Sequence, residues 1–154
     1  MKKIPFKRRR KQLTNYRKRL KLIVSGKTRF VVRISNKYVN CQFIKYEPDG
    51  DITLVQFNSI KLKDFGFKGS KNLQSSYLAG FASGLKALKK GIKEAVLDIG
   101  LRSSIRNSRI YASLKGAIEA GVKIPAGENV MPSDELLKKE ELSEIINKIK
   151  GGIK

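Results

Sequence analysis

The sequence predicts an α/β fold: a mixed β-sheet, built as a three-strand antiparallel meander and then helix, strand and helix, flanked by helices and preceded by a basic N-terminal arm. Three observations lead there. Apolar and polar residues alternate at period two between residues 28 and 57, and from residue 73 apolar residues recur at helical spacing. A short aliphatic run at 95–101 lies between two such helical stretches. The forty-six residues before the first acid, Glu47, carry sixteen Lys and Arg, so the net charge of +21 divides into +16 there and +5 in the remaining 108 residues.

The arm covers residues 1–26. Lys7, Arg8, Arg9, Arg10 and Lys11 form one cluster, after which Thr14 or Asn15 can cap a short helix that bears Tyr16, Arg17, Lys18, Arg19 and Lys21 and stops near Gly26. Leu13, Leu20 and Ile23 give it a thin apolar stripe, and its like charges repel one another, so polyanion phosphates would be needed to order it. From Thr28, the residues Phe30, Val32 and Ile34 define one face of a strand and Arg29, Val31, Arg33 and Ser35 the other. Asn36-Lys37 makes a tight turn into a second strand, Tyr38 to Tyr46, with Val39, Cys41 and Phe43 on one face. Pro48-Asp49-Gly50-Asp51 has turn chemistry, and Ile52 to Phe57 completes the meander.

Residues 61–71 read as a glycine-punctuated connection in which Phe65 and Phe67 sit among Lys61, Lys63, Lys68 and Lys71. Two roles stay open for it: contact with nucleic acid, or plugging one end of the core. A helix follows over Leu73–Lys90, whose Gly80 and Gly84 are expected to bring its backbone close to the sheet. Ala95–Leu101, nearly all apolar, predicts a strand covered on both faces and central in the sheet. A polar loop, Arg102–Asn107, leads to a helix over Ser108–Ala120 that ends at Gly121. Ser133 caps one last helix, with Asp134 and Glu135 at its positive end, Lys148 and Lys150 at its negative end, and Gly151-Gly152 as the stop. The expected organisation is an arm (1–26), an α/β RNA-binding domain (27–132) and a C-terminal helix and tail (133–154).

Composition removes several classes of function. No window approaches the roughly 18 apolar residues of a membrane span, and charge follows the cationic start where a secretory signal would be apolar, so a soluble intracellular protein is expected. Anionic lipid could attract the arm, but Met1-Lys2-Lys3 supplies no myristoylation glycine as a second anchor. Cys41 is alone and His is absent, which removes disulfides, Cys/His zinc sites and histidine bases, and no cofactor is expected.

A meander followed by helix, strand and helix resembles the ribonuclease H-like arrangement, which raises the question of a two-metal nuclease. That chemistry needs several carboxylates around ions roughly 4 Å apart, and here the strand carboxylate is Asp98 alone. Asp98 is instead expected to accept hydrogen bonds from the following loop or to pair with an arginine in it. The loop Gly100–Ser108 also lacks the GxxxxGK[ST] pattern of nucleotide hydrolysis, although Arg102, Arg106 and Arg109 suit a backbone phosphate. The function class that remains is polyanion binding: arginine planes grip phosphates and stack on unpaired bases, and Tyr16, Tyr38 and Tyr46 are candidate stacking surfaces.

Several segments, in order and spacing, resemble the archaeal branch of a 5S rRNA-binding large-subunit ribosomal protein family, ribosomal protein L eighteen. They are Tyr16-Arg17-Lys18-Arg19-Leu20-Lys21-Leu22, Ser25-Gly26-Lys27-Thr28-Arg29-Phe30-Val31-Val32-Arg33, Ser35-Asn36-Lys37-Tyr38, Val96-Leu97-Asp98-Ile99-Gly100-Leu101 and Leu114-Lys115-Gly116-Ala117. The resemblance implies no catalysis and residence in the central protuberance of the large ribosomal subunit in the cytoplasm. Its implied partners are 5S rRNA, large-subunit rRNA and neighbouring large-subunit proteins, with no membrane and no small-molecule substrate. The arm from Lys7 to Lys21 matches the family's RNA-penetrating extension. Arg29, Arg33, Asn36 and Lys37 match its sheet-side 5S contacts, and the Phe67-Lys68-Gly69 loop also matches; neighbouring Lys27 and Lys71 are further candidate RNA contacts. Arg102 and Arg106 complete the set, although Arg102–Asn107 departs from the family's usual His and Pro-Thr-Lys-Gly-like turn. The second reading is a nonribosomal RNA-binding protein or RNA chaperone using the same surface.

Overall fold

The computed structural model describes residues 4–153; Met1, Lys2 and Lys3 of the arm and Lys154 of the tail lie outside the described residues. Phe6 precedes a single helical turn, α1 (Lys7–Arg10), and Asn15 then caps α2 (Tyr16–Val24) by accepting the Lys18 N–H on its side chain. The sheet follows as β1 (Arg29–Ile34), β2 (Val39–Lys45) and β3 (Ile52–Asn58), each antiparallel to the one before. Ser35 holds the β1–β2 turn, its hydroxyl accepting from the Lys37 and Tyr38 N–H groups. Phe30, Val32, Val39, Cys41, Phe43, Val55 and Phe57 fill the inner face, with the Phe30 and Phe43 rings 4.9 Å apart.

The glycine-punctuated connection expected over residues 61–71 is open only from Gly66 onward; its first part is ordered. That part belongs to a 3-10 helix, Ser59–Phe65, closed by Gly66 in the left-handed region at φ 80°, a conformation that favours glycine. Leu62 is fully buried and Phe65 and Phe67 pack against the core, so of the two roles left open the aromatics take the structural one. The chain then crosses the inner face as α3 (Leu73–Lys89) and enters β4 (Val96–Asp98). The sheet order is β3-β2-β1-β4, with β4 parallel to β1. The aliphatic run is therefore an edge strand of three residues and not the centre of the sheet. Its apolar character comes from packing Leu97 and Ile99 against the core, not from strands on both sides.

The second helix is α4 (Arg109–Glu119). Gly80 and Gly84 do bring α3 close to a neighbour, but that neighbour is α4 and not the sheet. A Cβ at Gly80 would fall inside the Ser113 carbonyl, one at Gly116 would meet the Tyr77 carbonyl, and one at Gly84 would lie 2.7 Å from the Ala120 methyl. Three glycines on two facing helices thus set how near the backbones lie. The C-terminal region, expected as one helix, is two: α5 (Asp134–Leu137), capped by Ser133, and α6 (Lys139–Gly152), with Lys138 between them in the left-handed region at φ 50°. Helix α6 also continues through the glycine pair expected to stop it.

A polar network that runs from buried Tyr77 out to the surface anchors this region. Fully buried Tyr77 donates to Glu119 at 2.7 Å, and Lys139 approaches Glu119 at 2.9 Å and Asp134 at 3.7 Å. Lys115 donates to the Pro132 carbonyl at 2.7 Å and to Asp134 at 2.6 Å. Burial, reinforced by the Glu119 carboxylate, raises the Tyr77 phenol well above its ordinary value, so it stays a neutral donor at any physiological pH.

Cys41 lies in the same core, and burial pushes its thiol up to about 12 against the opposing pull of Ser113 and Ser83. At pH 8 the native thiolate fraction is then on the order of one in ten thousand. The folded protein should resist iodoacetamide for hours and label at once in denaturant; rapid labelling of the native chain would contradict this burial.

Candidate nucleic-acid interface

The outer face of the sheet carries Arg29, Val31 and Arg33 of β1, Gln42 and Ile44 of β2, and Asp98 of β4, because side chains alternate along each strand and the registers pair Arg29 with Ile44 and Val31 with both Gln42 and Asp98. Helix α2 lies across this face. Leu13, Lys18, Arg19 and Leu22 from the arm share a cleft with Arg29, Val31, Ile44 and Asp98.

Charge compensation here joins residues far apart in sequence. Asp51 binds Arg19 at 2.8 Å and Arg29 at 2.7 Å, tying the arm to the sheet. Asp98 binds Arg29 at 3.2 Å and Arg33 at 3.1 Å, and also accepts the Gly100 N–H at 2.8 Å. The expectation for Asp98 is met as far as the loop amide goes. Its arginines, however, come from β1 and not from the loop.

Arg29, matched by resemblance to a surface contact, is 3 % exposed, with its guanidinium between two carboxylates. In this structure it is a buried anchor between the sheet and the arm. The alternation that put it on the outer face was read correctly, but a strand pattern does not show that an arm covers that face. Arg33 keeps a half-exposed guanidinium while donating to the Val32 and Asp98 carbonyls at 3.0 and 2.8 Å.

The other candidate residues divide by location. Lys7, Arg8, Arg9 and Arg10 form the exposed α1 turn, followed by exposed Lys11, and Arg8 Nε donates to the Thr14 hydroxyl at 3.0 Å. Arg17, Lys18 and Lys21 are exposed on α2 and have no carboxylate partner among the described residues. Tyr16 is half-covered, with its ring 5.8 Å from that of Phe6. Lys27 is paired with Glu94 at 2.8 Å, which also lowers the Glu94 carboxyl below its ordinary value. Asn36 and Lys37 stand exposed in the β1–β2 turn.

Four further hydrogen bonds gather cations at that turn's end of the sheet. Arg102 donates to the Ile34 carbonyl at 2.9 Å, at the end of β1. The Ser59 hydroxyl accepts from the Val39 N–H and donates to the Ser70 carbonyl, which places exposed Lys68 and Lys71 beside the start of β2. Arg109 donates to the Lys71 carbonyl at 3.3 Å. Arg106 is exposed in the loop between them. Sequence reasoning missed Asp51 as an anchor and treated it as a turn residue; its one signal was its place in the first acid-bearing turn after the acid-free third.

Among the described residues, five cations of the acid-free third, Arg19, Lys27, Arg29, Arg33 and Lys45, have acidic partners, whereas those of α1, the outer side of α2 and the β1–β2 turn do not. Among the described residues no three His, Cys, Asp or Glu side chains are grouped to hold a metal, and no helix is long and apolar enough to cross a membrane. The fold and this surface define a small basic α/β protein with a positive face suited to a polyanion.

Residues 2–94 match the family described as "Ribosomal large subunit proteins 60S L5, and 50S L18". The chain belongs to this family, whose relatives are named as components of the large ribosomal subunit and not as enzymes. It is 43% identical over 148 residues to the large ribosomal subunit protein uL18 of Thermofilum pendens, covering 96% of this chain and 76% of that protein. The uL18 proteins of Aeropyrum pernix and Methanothermobacter thermautotrophicus are 45% and 46% identical over 143 residues, 92% of this chain and 67% and 74% of theirs.

Proposed function

We propose that this protein is a noncatalytic constituent of the cytoplasmic large ribosomal subunit that binds 5S rRNA and helps attach it to the large-subunit rRNA in the central protuberance. Its further partners are neighbouring large-subunit proteins. The observation that carries this reading is the separation of charge: carboxylates hold Arg19, Arg29 and Arg33 in place, while the cations of α1, outer α2 and the β1–β2 turn have no acidic partner among the described residues. Residues 1–26 act as the RNA-gripping arm, 27–132 as the α/β body, in a ribonuclease H-like topology, and 133–154 as the C-terminal support.

The test is filter binding of the purified chain to 5S rRNA and to an unrelated structured RNA across a salt series. With about 8 phosphates neutralised, the log-log slope should be about −6 to −7, and preference for 5S rRNA should persist as salt rises. Equal affinity for both RNAs would favour a nonribosomal RNA-binding protein or chaperone. Joint replacement of Arg8, Arg9, Arg10 and Lys11 by Gln should flatten the slope by about 3 and weaken binding roughly hundredfold at physiological salt. None of the four is buried, so the fold should be unchanged; its loss would show that the arm supports the domain.

A further inference from the structure

Between the arm and the outer sheet face lies a cleft of about 850 Å³, within the size range of small-molecule sites. Its floor is Val31 and Ile44 and its arm side is Leu13 and Leu22, so it offers apolar surface to a flat group. Seven cations line it against two carboxylates, Asp51 and Asp98. One buried guanidinium is also incompletely bonded. Arg29, with a side chain only 4% exposed, donates Nη1 to Asp98; its Nη2 lies 2.7 Å from Asp51 as an ion pair, and neither Nη2 nor Nε makes a hydrogen bond.

We propose that this cleft is a subsite for one unpaired nucleotide, with the base against Val31 and Ile44 and the phosphate on the arginine rim. The inference rests on the RNA-binding reading and deepens it. A purely apolar occupant would leave the surplus positive charge of the rim unanswered, which is costly in a partly dry site. A nucleotide answers both remaining features: ring face on the aliphatic floor, phosphate to Arg33, Arg102 and Arg8. A paired base presents only its edge, so duplex does not enter. A nucleotide within an RNA strand and a free nucleotide share the chemistry recognised here, and the competition arm below separates the two sources.

The experiment is methyl NMR of the full chain, titrated with AMP, adenosine, inorganic phosphate, a short single-stranded oligoadenylate, its duplex, and a hexaglutamate peptide. AMP should shift the Val31 and Ile44 methyls saturably, adenosine and phosphate each far less. The single strand should compete with AMP if the source is RNA; AMP binding without that competition marks a free-nucleotide site. Gln42→Trp, which fills the floor from the outer face, should weaken AMP at least about tenfold while the Leu78 and Leu114 core methyls stay in place. Ile44→Trp provides the same test if the first variant does not fold. Equal response to phosphate and AMP, equal competition by duplex or hexaglutamate, or undiminished AMP affinity in a folded filled variant overturns the proposal. Loss of 5S preference with the AMP response intact removes the proposed function and leaves the subsite, whereas 5S preference without any AMP response removes the subsite alone.

Discussion

Asp98→Ala is expected to destabilise the fold by about 3–5 kcal/mol, read as a lower urea midpoint with an unchanged slope. The carboxylate is nearly buried and bridges Arg29, Arg33 and the Gly100 amide at 3.2, 3.1 and 2.8 Å. Removing it leaves a guanidinium, 4 % exposed, with Asp51 as its remaining counter-charge, and leaves the amide that begins the following loop without an acceptor. Total stabilities of 5–15 kcal/mol are typical, so this loss would bring the protein near its unfolding limit at growth temperature. Asp98→Asn keeps an acceptor for Gly100 and should lose less. A cost below about 1 kcal/mol for Asp98→Ala would mean that the arginine is solvated and that the arm does not cover this face.

Gly80→Val should cost about 3 kcal/mol and lower the melting temperature by roughly 6–12 °C. The obstacle at Gly80 is the Ser113 backbone, which unlike a flexible side chain cannot turn aside, so α3 and α4 must separate. Gly116→Val should behave alike, because its Cβ would meet the Tyr77 backbone from the opposite helix. Gly127→Ala is the control, since open space surrounds that position. Calorimetry of the four proteins decides it; a Gly80 variant that melts with the control would show that the helices do not touch there.

Both effects bear on function through position. The α3–α4 pair supports the inner face of the sheet, and Asp98 and Asp51 orient the arginines of the outer face and hold the arm across it. A ribosomal protein of this family thus uses its few well-placed acids to arrange cations, leaving the surplus ones exposed.

Much of the architecture was legible in the chain. The alternation of Phe30, Val32 and Ile34 marked β1, the Asn15 side chain marked the start of α2, and apolar spacing marked α3 and α4 to within a residue or two. The sites of error share one cause. The run at 95–101 reads as central because its residues are aliphatic, yet Val96, Leu97 and Ile99 are only half-buried on an edge strand, where packing on the core from one side is enough to favour such residues. Gly80 and Gly84 announced a close approach without naming the partner. Lys138 carries no local signal for the left-handed turn that divides α5 from α6.

By itself the sequence determined the α/β class, the periodicity of each main element, the location of the charge surplus and the family, because these depend on residue type and on spacings within one segment. Only the tertiary structure decided the order of the strands, the partners of the glycines and which cations remain free. Those depend on contacts between Asp51 and Arg19 or between Asp98 and Arg29, dozens of residues apart, where a charge is neutralised or left exposed by what the fold brings beside it.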